Sequence, residues 1–534
     1  MCLFNRGPWI PSVRPGGFFP KLTDPAVHPI PWTERRPSVS EATVGVVNQS
    51  VARFYKICRE VTGQPFASGV HLLEAEMGFH KRVARECLDP IIAATVQAAH
   101  ENPKVLERAE LLVLSSPSLK PQKSCQEVHL TLLGGSTITV ETPYFLRREK
   151  TGKKKGRPRK RGKRGEAGNG CYPILVVLGI HQRVTPALAS EVARLVSSGT
   201  YEAAVAHLAI RGVRLDCKQV SALAQMVAQR GLSHRQWWLN KTQSGFRGVG
   251  CRGRRLAICV DGGRIRIRIP ETKGRKLKSG RRSFEAPWKE PKVFVIYEFD
   301  ARGRKLPRGL VRSDASLEDA QGIFVLMVST LRQIGAHEAR EWVILGDGAP
   351  WIWNRASELV TAVGYDPKKV TQVVDFYHAV EHLSLLASHV KIAQRKAWFI
   401  KAKRLLTRGA VKQLLLEANS LCRGRNAKKI RKLFAYFKDH EGRMQYQDFR
   451  KRQIPSGSGA VESCVRRVIN LRLKGNGIYW REGNGEGVMH MRAQLLSGRW
   501  MHFIQNVLEP ECFLNPENTR IRTINAYEKL ERTA

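Results

Sequence analysis

The sequence predicts an α/β fold, a mixed sheet flanked by helices, with an α-helical insertion and a helical N-terminal region. Two observations carry the sheet and one carries the insertion. The runs LAICVD (from Leu256), KVFVIYEF, EWVILGD and TQVVDFYH have strand length and are apolar nearly throughout, as strands buried on both faces are. Between them lies a helical stripe made by Ile323, Phe324, Met327, Val328 and Leu331. From about Ala379 to Arg452 the chain is helical in pattern and rich in Lys and Arg, with no strand candidate.

Taken in order, residues 1–40 form a Pro/Gly-rich arm (GPWIPSVRPGGFFPKL) with no regular period. Region 41–148 is expected to be helical, on the evidence of VARFYKICREV and LERAELLVL, and to end in a β-hairpin where HLTLLGGSTITVE alternates around Gly134-Gly135. A basic linker, 149–170, contains KKKGRPRKRGKR. Its G-R-P-R-K core matches the AT-hook pattern, which lays Arg157, Arg159 and Lys160 into a narrow A·T minor groove; the plainer reading is a solvated linker that attracts phosphate. In region 171–235, Tyr201, Ala204, Val205 and Leu208 form one stripe, Gly212 interrupts it, and Val220, Leu223, Ala224 and Val227 form another. Two helices joined by a glycine turn suit a helix-turn-helix whose second helix presents Lys218, Gln219 and Gln225 to a groove, although many helical hairpins bind nothing. The strands LAICVD, GRIRIRI and KVFVIYEF open the main α/β region, 255–378 and 456–510, which brackets the insertion at 379–455; 511–534 is a C-terminal tail.

Composition points to a partner. There are 90 Lys+Arg against 46 Asp+Glu, a formal net charge of +44, and an excess of this size favours a polyanion such as nucleic acid over a small substrate. The 11 cysteines include no C-x-x-C pair, which argues against a zinc ribbon or a disulfide framework and for reduced thiols. No signal-peptide pattern and no apolar run of about 18 residues is present, so a cytoplasmic, membrane-free protein is expected.

Against this basic background three acidic words stand out. Asp261 ends the strand-like ICVDGG, Asp347 ends another in ILGDGAPW, and Glu462 opens a helical pattern after Ser456-Gly457-Ser458-Gly459. Asp-Gly alone is an ordinary turn, and Glu462 could merely pair with Arg466 one helical turn later. Two aspartates at the ends of apolar strands, with a glutamate beside Arg466, Arg467, Arg472 and Lys474, instead describe metal ligands next to phosphate contacts. Hard carboxylate oxygens suit Mg²⁺, with Mn²⁺ as a substitute, and two ions roughly 3.5–4 Å apart can activate a nucleophile and stabilise a leaving oxygen at a phosphodiester. Gly262 and Gly263 would let phosphate approach the backbone closely.

The blocks ICVDGG, ILGDGAPW, VVDFYHAVEHL and SGSGAVES…LRLKGNGIYW resemble those of the ISKra group of bacterial insertion-sequence transposases, of the DDE class, from about Leu256 to Trp500. The resemblance implies a ribonuclease-H-like catalytic domain with Asp261 on the first strand, Asp347 on the fourth and Glu462 on a late helix. It further implies an auxiliary D-x-x-H word, Asp375 and His378, and a protein acting as a homodimer or higher assembly on double-stranded DNA, the transposon terminal repeats and the target. Trp480 is a candidate for stacking on a distorted base near the cut, or else an ordinary core aromatic.

Two other readings compete. His378, Glu381 and His382 spell H-x-x-E-H, the inverted zinc-protease word, but no third ligand is evident downstream. A non-catalytic nucleic-acid-binding regulator would share the charge and the helix-turn-helix, and would differ in being indifferent to Mg²⁺.

Overall fold

The computed structural model describes residues 41–64, 68–114, 119–147, 170–270, 283–421 and 427–508. The Pro/Gly-rich arm, the basic run with Arg157, Arg159 and Lys160, and the C-terminal tail lie outside the described residues.

The N-terminal region is helical from Glu41 and closes in the expected hairpin: β1 (Leu119–Thr131) pairs antiparallel with β2 (Thr137–Arg147). Gly135 sits at φ +92, a conformation that favours glycine, which is why the Gly-Gly pair marks the turn. Val128, Leu130 and Val140 from the hairpin pack with Leu175 and Ile180 in a small core of their own.

The central element is a five-stranded mixed sheet of β3 (Arg255–Gly262), β4 (Lys292–Glu298), β5 (Val311–Ser316), β6 (Glu341–Gly346) and β7 (Val370–Val374), in the order β5-β4-β3-β6-β7. Neighbours β3, β4 and β5 run antiparallel, whereas β3, β6 and β7 run parallel. The apolar runs of β3, β4 and β6 are buried almost end to end because helices cover both faces. The chain is thus a mixed α/β fold with its sheet flanked by helices.

Two strand assignments differ from the sequence reading. GRIRIRI does not enter the central sheet; it supplies only Ile265–Arg266 and Ile269–Pro270, which pair with Trp288–Lys289 and Phe284–Glu285. Its alternation still has a purpose, since Ile265 and Ile267 are buried while the arginines face outward. The third strand of the sheet is instead VRSDAS, which no hydrophobic pattern announces. Its buried polar side chains find partners on a distant helix: Asp314 lies 2.9 Å from Nδ1 of His490, and the Ser316 hydroxyl donates to Glu486 at 2.9 Å.

The helices that matter below are α1 (Cys217–Gln243), α2 (Pro350–Val363), α3 (Phe376–Ala387), α4 (Ala427–Asp439), α5 (Gly459–Val465) and α6 (Glu482–Leu496). The expected helix-turn-helix pair is Tyr201–Ile210 followed by α1, with Gly212 at φ +85 between them. Its second member is longer than its stripe suggested: α1 runs 27 residues, passes through position 235 unbroken, and ties to the sheet through Arg235, which donates to the Ala315 carbonyl of β5 at 3.2 Å and pairs with Glu486 of α6 at 2.5 Å. One continuous core therefore extends from Val184 to Val507. Between β7 and α5 the chain is helical, as expected, with Ile392–Thr407, Val411–Ala418, α4 and Tyr446–Lys451. No helix among the described residues is long and apolar enough to cross a membrane.

Candidate metal centre

The strand order brings three aspartates to the ends of three neighbouring strands. Leu345 pairs with Cys259 and Gly346 with Val374. The first ladder ends two residues short of Asp347 and Asp261, and the second one residue short of Asp347 and Asp375. The Asp375 N–H extends the ladder by donating to the Gly346 carbonyl at 2.9 Å. All three carboxylates thus stand at the carboxyl ends of adjacent parallel strands, where strands are spaced by roughly 4.8 Å and where open α/β sheets bind ligands.

Glu462 reaches the same place from α5 by way of the serine-glycine turn. The Ser456 carbonyl accepts from the Phe376 N–H at 2.9 Å, and the Ser458 N–H donates to Oδ2 of Asp375. Ser458 stands at the N-cap of α5, but its hydroxyl makes no cap bond and donates to Oε1 of Glu462 at 2.6 Å. Glu462 is therefore steered by Ser458 rather than by Arg466. Asp375 is fully buried and its Oδ1 accepts from the His378 N–H at 2.7 Å, so both of its oxygens are engaged by backbone. Ligand atoms of Asp375, His378 and Glu462 all lie within 4.8 Å of one another, the only group among the described residues able to share an ion in this way. With both oxygens already bonded, Asp375 ties α3 to the turn before α5.

Asp261 and Asp347 stand outside that 4.8 Å group, and their link to it is electrostatic. Burial pushes the Asp261 carboxyl up to about 6; its own Gly262 N–H, donating at 2.7 Å, works against the rise, Asp347 adds to it, His378 opposes it and Glu462 adds again. If the cluster is read as a metal site, the proton that burial holds on Asp261 competes with the cation. Metal affinity is accordingly expected to weaken as pH falls through about 6, where Asp261 takes up its proton.

The glycines beside the acids make room for protein rather than for phosphate, contrary to expectation. A Cβ on Gly262 would meet Glu290, and one on Gly263 would meet Ile469 at 2.5 Å. Gly348 lies under the ring of Tyr436, from α4 of the insertion, and its carbonyl is 3.2 Å from Nε2 of His440. Asp347, whose Oδ1 accepts from the Ala349 N–H at 2.9 Å, is thus held between the start of α2 and the insertion. Tyr436 stacks on His382 with ring centroids 3.8 Å apart, and neither the Tyr436 hydroxyl nor Nδ1 of His382 has a hydrogen-bond partner. Sequence reasoning missed Tyr436 and His440 as parts of the site, and placed Ser458 in the turn before Glu462 without its bond to that residue; nothing in FAYFKDH marks a residue that will cap a strand end far upstream.

The H-x-x-E-H word is set on α3, but its histidines part ways. His378 faces Asp375 and Glu462 and lies 3.4 Å from Glu381, whereas His382 is spent on the Tyr436 stack and its proton affinity is lowered by burial. The pair does not share an ion site among the described residues.

The expected nucleic-acid contacts divide. Arg466, Arg467 and Lys474 are exposed, the two arginines opening a wide π-turn, Arg466–Asn470, beside the site. Lys218 is exposed at the start of α1, while Gln219 completes a capping box, its side chain accepting from the Asp216 N–H at 2.8 Å. Arg472 is buried and donates to the Val196 carbonyl at 3.0 Å, so it braces the core instead of meeting phosphate. Trp480 is a correction of the same kind: it is 6% exposed, and its indole donates to the Leu473 carbonyl at 3.0 Å, leaving no face for a base.

The chain matches no family model, no curated protein and no solved structure.

Replacing Ser458 by alanine removes the bond that aims Glu462 while leaving every carboxylate in place. Metal affinity, read by titration calorimetry, should fall about 10–100-fold, the usual cost of losing a group that orients a ligand.

Proposed function

We propose that this chain is a metal-dependent DNA-cleaving and strand-transferring enzyme, a DDE transposase of the kind its sequence blocks resemble, built on a ribonuclease-H-like domain. The observation that carries the reading is the single rank of Asp261, Asp347 and Asp375, with Glu462 drawn to it through Ser458. The sheet order, three antiparallel strands followed by two parallel ones on the other side of β3, supports the fold assignment.

The donor set suits hard divalent cations: carboxylate oxygens with one imidazole and no thiolate, which fits Mg²⁺ or Mn²⁺ better than zinc. Asp261, Asp347 and Glu462 would hold two ions. When bound, such ions supply an activated water or 3′-hydroxyl on one side of a phosphodiester and charge stabilisation on the other. The protein's own part is orientation. Asp375 fixes the turn that delivers Glu462, His378 would steady the scissile phosphate, and Arg466, Arg467 and Lys474 would neutralise flanking phosphates. The net charge of +44 suits a long polyanionic substrate. Double-stranded DNA bearing terminal repeats, target DNA, and a second copy of the chain to hold paired ends are the partners of this reading.

The test is a labelled duplex carrying an element end, incubated with Mg²⁺ or Mn²⁺. Cleavage is expected with the wild-type chain and not with Asp261→Ala, Asp347→Ala or Glu462→Ala. Cleavage surviving all three changes would defeat the proposal, and DNA binding without any metal-dependent cleavage would favour the regulator.

A further inference from the structure

Past Asp261 the chain leaves the sheet and builds a small two-strand flap whose outer face carries two arginines among three aromatic rings. The Arg266 guanidinium lies 4.9 Å from the Trp288 ring and 5.9 Å from that of Tyr479; Tyr479 meets Phe284 edge-on at 5.1 Å; and Arg268 lies 4.3 Å from the Phe284 ring. The order along the face is Trp288, Arg266, Tyr479, Phe284, Arg268. Backbone pairing explains it: Ile267 bridges Trp480, so Ile265, Ile267 and Trp480 turn inward while Arg266, Arg268 and Tyr479 turn outward.

Such a face is costly to leave in water without a role. Trp288 is 51% exposed on a paired strand, and Tyr479 is 37% exposed beside the bridged Trp480, both positions that could carry polar residues. Phosphate binding alone would need only the arginines. The aromatic rings add flat apolar surfaces at the spacing of side chains on a strand, and the cations beside them would neutralise a backbone threading past. The flap is also tethered to the acids: Arg266 is five residues beyond Asp261, at most about 17 Å of extended chain.

We propose that this ladder is a stacking platform for unpaired nucleotides, which holds a separated or frayed strand while its phosphodiester lies at the carboxylate rank. It rests on the reading of that rank as a nucleic-acid site, but its test does not require cleavage. A single-stranded oligonucleotide carrying 2-aminopurine is titrated with the full chain in EDTA, beside a fully paired duplex of the same length. Trp288→Ala and Tyr479→Ala, which leave every charge in place, should each weaken single-strand binding about tenfold or more. Duplex affinity should change less than about twofold and the salt dependence should be unchanged. Tyr479→Phe should keep the wild-type affinity. Single-strand binding unaffected by both alanine changes, or an equal loss for single strand and duplex, would overturn the proposal. Because the measurement is made without metal, a chain that stacks bases yet never cuts would refute the transposase reading and leave the platform standing.

Discussion

Changing Asp261, Asp347 or Glu462 to its amide is expected to reduce metal-dependent cleavage at least about a hundredfold in each case, with DNA affinity kept or slightly raised. The amide preserves size and hydrogen bonding but removes the charge that neutralises a divalent ion, so the loss measures metal ligation rather than packing. The three changes should be far from additive, because a site missing one shared ligand has little left for a second change to remove. Steady-state cleavage and filter binding on the same preparations check this. An Asp347→Asn variant that cut normally would reduce Asp347 to a turn residue held by the Ala349 N–H.

The second large effect is on stability and runs opposite to the first. Asp261 carries its proton more tightly in the folded chain than in the unfolded one, its carboxyl being pushed up to about 6 by burial and by its acidic neighbours. A group of this kind contributes stability below its unfolded value near 4 that is lost as pH rises through 6. At pH 7.5 the metal-free wild type has therefore lost it, whereas Asp261→Asn cannot. The displacement corresponds to roughly 3 kcal/mol, and screening at a group still partly open to solvent reduces this to about 1–2 kcal/mol. The variant should melt a few degrees higher than wild type at pH 7.5 without metal, and the gap should close near pH 4. Millimolar Mg²⁺ should reverse the order by stabilising the wild type alone, as a ligand specific to the native state does. Thermal melts at the two pH values, with and without Mg²⁺, read all of this.

Much of the sheet could be read from the sequence because both-face burial writes itself as apolar runs: β3, β4 and β6 lie where LAICVD, KVFVIYEF and EWVILGD predicted. β5 could not, since its burial is polar and is satisfied by His490 and Glu486, which no local window includes. GRIRIRI misled for the reverse reason: its alternation is real, but the face it builds belongs to a flap. In the candidate site, Asp261 and Asp347 were visible as acids closing strands, while the D-x-x-H word came only from the resemblance. Their common rank was not, because register between distant strands is fixed by pairing and not by composition. The contributions of Ser458, Tyr436 and His440 depend on tertiary approach, and Trp480 and Arg472 show the same limit from the other side, being residue types that suit DNA but are buried in the core.

The central claim is that the acids at the sheet's carboxyl edge jointly hold divalent cations, and Mn²⁺ binding to the full chain, followed by electron paramagnetic resonance without DNA, tests it most directly. The wild type should bind Mn²⁺ saturably at pH 7.5 and lose it as pH falls through 6, while Asp261→Asn, Asp347→Asn and Glu462→Gln should each weaken binding at least tenfold. Binding that is absent from the wild type, or that is equally strong in all three variants, would contradict the account.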